Sequence, residues 1–290
     1  MTTLYAAVRA AEDLLAAAGV GSPRQDAIAL AAHVLARPAH EVERSVILRE
    51  DVNGDFVQRF ESLVAERGGR VPLQHLTGTA HFRNLTLRVG PGVFIPRPET
   101  EMVAGLAIDA ARSAIESGIE APIVVDLCTG SGAIALVVKD EVPGAYVHAI
   151  EVSPEAHAWA AQNVAVTGLD VDLHLGDAIT SFGELADSVD VVVSNPPYIP
   201  TGSEPVDPEV RDHDPRVALY GGSSDGLAIP RLVAARAAYL LKPGGVLVME
   251  HADTQGESLP AALRASGDWS GIEDHVDLTG RPRATVARRG

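Results

Sequence analysis

A chain of 290 residues, 46% hydrophobic and with one cysteine, can build a large and a small domain but no internal disulfide or cysteine-rich zinc site, which suits a reducing cytoplasm. The formal charge of −16 lies beyond residue 90: ten Arg balance ten acidic residues up to that point, and thirteen basic residues face twenty-nine acidic ones after it, an average field that makes a direct nucleic-acid partner unexpected. No basic leader opens the chain and nowhere do about eighteen apolar residues run together, so neither a signal peptide nor a membrane partner is expected.

The first seventy residues read as helices with short punctuation. Ser22-Pro23-Arg24-Gln25 has the form of a capping box with Pro at the first helical position, and it opens an apolar-periodic run through Ile28, Leu30, Ala31, Val34 and Leu35. A further helix is expected from Asp55 to Arg67, stopped by Gly68-Gly69. His81 to Val89 alternates like a strand, and Pro91-Gly92 is expected to turn the chain toward Val93-Phe94-Ile95 as a hairpin linker. Pro98 then starts a helix with Glu99 and Glu101 in its first turn, where the helix dipole favours anions.

From Pro122 the rhythm becomes alternating strands and helices. Strands are expected at Ile123 to Leu127, Ala145 to Glu151, Val171 to Leu175, Val189 to Ser194 and Gly245 to Glu250, with weaker ones at Ile272 to Val276 and Arg283 to Ala287. Helices fit at Ala133 to Asp140, Pro154 to Thr167 and Leu227 to Leu241. This pattern predicts an α/β, Rossmann-like fold with ligand sites at the carboxyl ends of the strands.

Chemistry concentrates at those strand ends. Asp126-Leu127-Cys128-Thr129-Gly130-Ser131-Gly132 follows an apolar strand and leads directly into a helix, so small residues and helix-terminal amides face any ligand there. The spacing of Gly130, Gly132 and Ala135, followed by Glu151 at the next strand end, fits a dinucleotide coenzyme as well as S-adenosylmethionine. Glu151 can accept both hydroxyls of a ribose, and Asp177 could meet an adenine amino group, although an Asp at that place is commonly a turn residue. The segment Ser194-Asn195-Pro196-Pro197-Tyr198 is more specific. Two prolines remove backbone donors and fix the turn. The Asn195 side-chain oxygen and the Pro196 carbonyl can then each accept one N–H of a planar amide or amine, and Tyr198 can stack on that group.

The pairing of residues 126–132 with Asn195-Pro196-Pro197-Tyr198 resembles class I methyltransferases that act on amide or exocyclic nitrogen. With Pro72-Leu73-Gln74-His75-Leu76-Thr77-Gly78 and Phe94-Ile95-Pro96-Arg97-Pro98-Glu99-Thr100-Glu101, nearly the whole chain is similar to the HemK/PrmC family, which methylates the glutamine of peptide chain release factors. The resemblance implies a mostly parallel seven-stranded sheet, a small N-terminal helical substrate-recognition domain over residues 1–75, a β-hairpin linker over 76–97 and a catalytic domain over 98–290. It also implies S-adenosylmethionine as cofactor, S-adenosylhomocysteine as product, no metal, and class 1 release factors as the protein partner. By matching positions, Cys128, Thr129, Gly130, Ser131, Gly132 and Glu151 would hold the methionine and ribose parts, Asp177 and Ala178 would flank adenine, and Phe94 with Arg97 would close the pocket. Asn195 would lie between cofactor and glutamine, with Pro196, Pro197 and Tyr198 completing the substrate site. The chain departs from the family pattern at Cys128 and Ala252, where Gly is usual, and at Asp214, where Glu is usual.

An adenine-specific DNA methyltransferase shares the Asn-Pro-Pro-Tyr chemistry, and a ribosomal-protein glutamine methyltransferase is closer still. A dehydrogenase would use the glycine loop but gives no reason for that turn. His75, His81 and His251 lack metal-ligand spacing, and Arg281, Arg283, Arg288 and Arg289 read as a short, solvated basic tail.

Overall fold

Helix α1 (Leu4–Ala17) begins where the Thr3 hydroxyl accepts the Ala6 amide and continues with Leu4, Val8, Ala11 and Leu15 at helical spacing on one buried stripe. The computed structural model describes residues 2–290, and the first two of these form β1 (Thr2–Thr3). Helices α2 (Pro23–Leu35) and α3 (Ala39–Ile47) follow, then β2 (Asp51–Val52), antiparallel to β1, then α4 (Gly54–Gly68) and α5 (Leu73–Thr77). The capping box expected at Ser22 does not form: the Ser22 hydroxyl makes no capping bond, because its backbone (φ −131°, ψ 61°) lies outside the extended conformation of a capping residue. Asn53 does cap α4, accepting the Phe56 amide at 2.8 Å. The apolar stripes of these helices meet in one core of Val8, Leu15, Leu30, Val42 and Phe60, with the Phe56 and Phe60 rings stacked at 5.2 Å.

This helical unit comprises Met1–Thr79 and, from much later in the chain, Pro205–His213. A buried ionic network holds the later segment. Arg67 reaches Asp26 at 2.7 Å and Glu209 at 2.8 Å, while the Arg70 guanidinium grips both Glu209 oxygens. Burial alone would raise the Glu209 carboxyl, but hydrogen bonds from Arg70 and Arg67 hold it well below the usual carboxylate range.

The second unit, Ala80–Glu204 with Asp214–Gly290, opens on a hairpin of β3 (Thr79–Phe82) and β4 (Leu85–Arg88). The hairpin reverses at Arg83-Asn84, with Arg83 left-handed (φ 49°), inside the stretch His81 to Val89 that the sequence suggested as one strand, while Pro91-Gly92 forms a second turn, as expected. Val93 and Ile95 instead pack with Ala80, Val89 and Trp159, and a Cβ on Gly90 would lie 2.5 Å from the Trp159 ring, so only glycine admits that contact. Helix α6 (Thr100–Glu116) starts two residues after Pro98, which with Glu99 forms the preceding turn.

Strands β5 (Ile123–Leu127), β6 (Tyr146–Glu151) and β7 (Val171–Leu175) alternate with α7 (Ala133–Glu141) and α8 (Pro154–Thr167). Then come β8 (Val189–Ser194), α9 (Pro208–His213), α10 (Ala228–Leu240), β9 (Leu241–Glu250), α11 (Ser258–Ser266), β10 (Trp269–Val276) and β11 (Pro282–Arg289). The strands form one seven-stranded sheet in the order β10-β11-β9-β8-β5-β6-β7, parallel except for antiparallel β11. Residues 282–289 are therefore a strand of the sheet and not a tail, with Arg281 and Arg288 exposed as expected of a solvated face and Arg283 and Arg289 partly buried. Arg283, Arg288 and Arg289 lie on a strand with neighbours on both sides, because its alternate residues Thr285 and Ala287 are wholly buried.

The fully buried β8 lies between β5 and β9, so the chain winds outward from β5 in one direction and from β8 in the other. That reversal opens a crevice at the carboxyl ends of β5 and β8, where the loops diverge to opposite faces. Register pairs Leu127 with Ser194, and the Ser194 hydroxyl donates to the Leu127 carbonyl. Cys128 and Asn195, next in each strand, thus emerge side by side.

Candidate active site

The loop after β5 is shaped by three left-handed residues: Cys128 (φ 69°), Gly130 (φ 59°) and Gly132 (φ 81°). Cys128 adopts this conformation despite its Cβ, at a cost of about 1–2 kcal/mol, which accounts for glycine being the usual residue there. Burial pushes its thiol up, so it stays protonated and is a poor nucleophile. Beneath the loop, the wholly buried Asp126 accepts the Thr129 hydroxyl at 2.6 Å and the Ala135 amide at 3.1 Å. Its second oxygen has no partner among the described residues, and burial pushes the carboxyl up to about 7 against those two hydrogen bonds. Above Gly130 there is open space: nothing lies within 4 Å of a Cβ built there. Thr129 and Ser131 are themselves buried and hold the loop from below, the Ser131 carbonyl accepting from Asn163 at 2.9 Å.

Glu151 ends β6 against this loop. One of its oxygens accepts the Gly130 amide at 2.8 Å and the other the Ser153 amide at 2.8 Å, leaving a free lone pair on each. Asp177 ends the next strand and accepts the Ile179 amide at 2.9 Å, so it is a turn residue with a second carboxylate oxygen left over. Ala178 beside it is buried.

Across the crevice, the Asn195 side-chain amide lies 3.5 Å from the Thr100 hydroxyl, its NH₂ directed at that oxygen. Pro196 and Pro197 are buried. The Tyr198 hydroxyl donates to Glu250 at 3.2 Å, and Gln255 donates to the Tyr198 carbonyl at 3.0 Å. Glycine is required twice behind this turn. A Cβ on Gly226 would lie 2.1 Å from the Tyr198 carbonyl oxygen, and one on Gly221 would lie 1.8 Å from the Gly226 carbonyl oxygen. Beyond Tyr198 the chain is zipped to Leu219–Ser223, with the Ile199 amide on the Leu219 carbonyl at 2.8 Å and the Gly221 amide returning to Ile199 at 2.9 Å.

Phe94 and Arg97 form a cation–π pair at 4.9 Å, and Arg97 also binds the fully buried Asp214 carboxylate at 2.5 Å. At Asp214, one of the departures from the family pattern, the shorter carboxylate thus reaches Arg97.

Three residues of the site were given no role in it from the sequence: Thr100, Glu250 and Arg283. Burial pushes the Glu250 carboxyl up to about 7, opposed by the Thr100 hydroxyl and the Arg283 charge. Burial beside that carboxyl also pushes the Tyr198 hydroxyl up, so it remains a donor. Arg283 is one of the four arginines read as a tail, yet its guanidinium pairs with Asp277 at 3.6 Å and its charge acts on Glu250 and Tyr198. The position of Glu250 at the end of a parallel strand was the available signal; Arg283 offered none, since its place depends on antiparallel pairing with β9. His251 is structural, bonded to Asp274 at 2.8 Å, and His81 meets Thr86 at 3.1 Å.

The arrangement resembles known proteins along the whole chain. The PrmC N-terminal domain family matches residues 6–78, and the methyltransferase small domain family matches residues 106–206. The release factor glutamine methyltransferase of Streptomyces coelicolor is 51% identical over 290 residues, covering 100% of this chain and 99% of that protein. That of Mycolicibacterium smegmatis is 46% identical and covers 100% and 99% respectively. A 4-amino-L-phenylalanine/4-methylamino-L-phenylalanine methyltransferase of Streptomyces pristinaespiralis is 39% identical, covering 92% of this chain and 89% of that protein. Among solved structures, a T. thermophilus 16S rRNA N2 methyltransferase in complex with AdoMet and guanosine aligns with a TM-score of 0.50 at 19% identity, over 73% of this chain and 50% of that one. At that identity the likeness speaks for the fold.

Proposed function

Because the chain belongs to the release factor glutamine methyltransferase family, we propose that it transfers a methyl group from S-adenosylmethionine to the side-chain amide nitrogen of the glutamine in the Gly-Gly-Gln motif of class 1 peptide chain release factors. The observation that carries the reading is the emergence of the Cys128–Gly132 loop and the Asn195–Tyr198 turn from adjacent strand ends. The residues fit the cofactor. Open space above Gly130 and free lone pairs on Glu151 make a cradle suited to a ribose, on a loop held from beneath by the wholly buried Asp126.

In this reading Cys128, Thr129, Gly130, Ser131 and Gly132 enclose the methionine part, Glu151 accepts the ribose hydroxyls, and Asp177 with Ala178 borders adenine. S-adenosylmethionine supplies an electrophilic methyl group and leaves as S-adenosylhomocysteine. An amide nitrogen is a weak nucleophile because its lone pair is delocalised. Asn195, with its NH₂ turned to Thr100, offers its side-chain oxygen to one N–H of the glutamine, and the Pro196 carbonyl accepts the other. These two acceptors aim the nitrogen and stabilise the positive charge that develops on it. Pro197 fixes the turn, and Tyr198, anchored through Glu250, flanks the amide plane. The methylated nitrogen is acidic and releases its proton to water, so no strong base is required. Phe94 and Arg97 border the cofactor pocket, and residues 1–75 hold the body of the release factor. The reaction is cytoplasmic and involves neither direct nucleic-acid contact nor a metal.

The test is incubation with labelled S-adenosylmethionine and a class 1 release factor, followed by mass mapping. We expect label on the motif glutamine and none on its Gln→Ala variant. Equal labelling of both, or preferential methylation of DNA adenine or 4-amino-L-phenylalanine, would overturn the reading.

A further inference from the structure

We propose that His148, Asp172 and His174 form a binding site for a divalent transition-metal cation of the zinc type, separate from the methyl-transfer site. Parallel pairing of β6 with β7 sets His148 opposite Asp172 and Ile150 opposite His174. Alternate residues share a face, so the three side chains project from the same side of the sheet. One oxygen of Asp172 lies 2.9 Å from Nδ1 of His148 and 2.9 Å from Nε2 of His174. All three potential ligand atoms lie within 4.8 Å of one another.

Tetrahedral zinc with bonds of about 2.0–2.1 Å requires ligand atoms roughly 3.3 Å apart, so a small opening of the present contacts makes room for the ion. The edges of both imidazoles meet the Phe182 ring, at 5.8 Å for His148 and 5.1 Å for His174, which limits how far they can rotate away. Two imidazoles and one carboxylate suit zinc, nickel or copper; magnesium and calcium prefer all-oxygen sets. The side chains are 21%, 58% and 47% exposed in chain order, so an ion enters from solvent and retains water in its remaining position. On binding, each neutral imidazole offers the lone pair of the ring nitrogen that faces Asp172 and carries its one hydrogen on its other nitrogen. The ion would clip the edge strand β7 to β6, three residues before Asp177 on one strand and three before Glu151 on the other.

The experiment is calorimetric titration of zinc chloride into the chelator-treated full-length protein, repeated with cobalt chloride to read its visible absorption. We expect one saturable equivalent, weakened at least tenfold in His148→Ala and His174→Ala and abolished in the double variant. Asp172→Asn preserves the shape of the cluster and removes the charge; zinc should raise the melting temperature of the wild type and not of this variant. Absence of saturable binding, or an affinity unchanged in Asp172→Asn and in the double alanine variant, would overturn the proposal.

Discussion

Asn195 illustrates how one side chain can be committed by its neighbour. Its amide NH₂ is turned to Thr100, which leaves the oxygen for a substrate N–H. We therefore expect Asn195→Ala to lower kcat by about 2–4 kcal/mol of transition-state stabilisation, as removing an oxyanion-hole donor does, while S-adenosylmethionine affinity stays nearly constant. Single-turnover kinetics with calorimetry of cofactor binding checks this; near-normal turnover would refute the assigned role. Glu250 makes a second residue-scale prediction. Its folded-state value of about 7 lies above the ordinary 4.5, so the stability it contributes is present below 4.5 and is lost as pH rises through 7. Glu250→Gln should flatten the pH dependence of the melting temperature across that interval. A variant whose profile parallels the wild type would show that another group dominates, and Asp126, also raised to about 7, is the first to examine.

At the scale of elements, α9 is the instructive case. It is short, follows the Asn-Pro-Pro-Tyr turn in the chain, and belongs to the helical unit through Glu209. Removing that carboxylate leaves the buried Arg67 with Asp26 alone and Arg70 without its bidentate partner. Loss of one member of a buried pair costs about 3–5 kcal/mol, so Glu209→Ala should destabilise the protein by roughly 3 kcal/mol in urea unfolding. A change within a few tenths would mean that water replaces the carboxylate. The same network changes the design of a truncation: deleting residues 1–70 would remove Arg67 and Arg70 and leave Pro205–His213 without the partners that place it. Element limits were legible where periodicity and breakers agree, as in α8, expected and observed at Pro154–Thr167. They were not legible at the hairpin: Pro91-Gly92 does form a turn, but the stretch His81 to Val89, expected as one strand, reverses on itself at Arg83-Asn84. Two paired strands can impose a left-handed Arg that local propensity would not select.

For the whole molecule, charge is the property that carries a prediction. Residues 1–90 are neutral and residues 91–290 carry the full −16. A protein domain that works against ribosomal RNA is expected to be basic, so its encounter with the acidic catalytic portion should be steered electrostatically. KM for the release factor should rise with ionic strength at saturating cofactor, and a salt-independent KM would exclude steering. By itself the sequence determined the doubly wound sheet, the two chemical loops and the family, because each rests on contiguous residues: an apolar strand, small residues at its end, a Pro-Pro turn. Only the tertiary structure brought Thr100, Glu250 and Arg283 to the turn, drew Pro205–His213 into the helical unit and set His148 beside Asp172. Those meetings depend on strand order and register between segments far apart in the chain, which are decided by how whole faces pack and leave no mark in the local pattern.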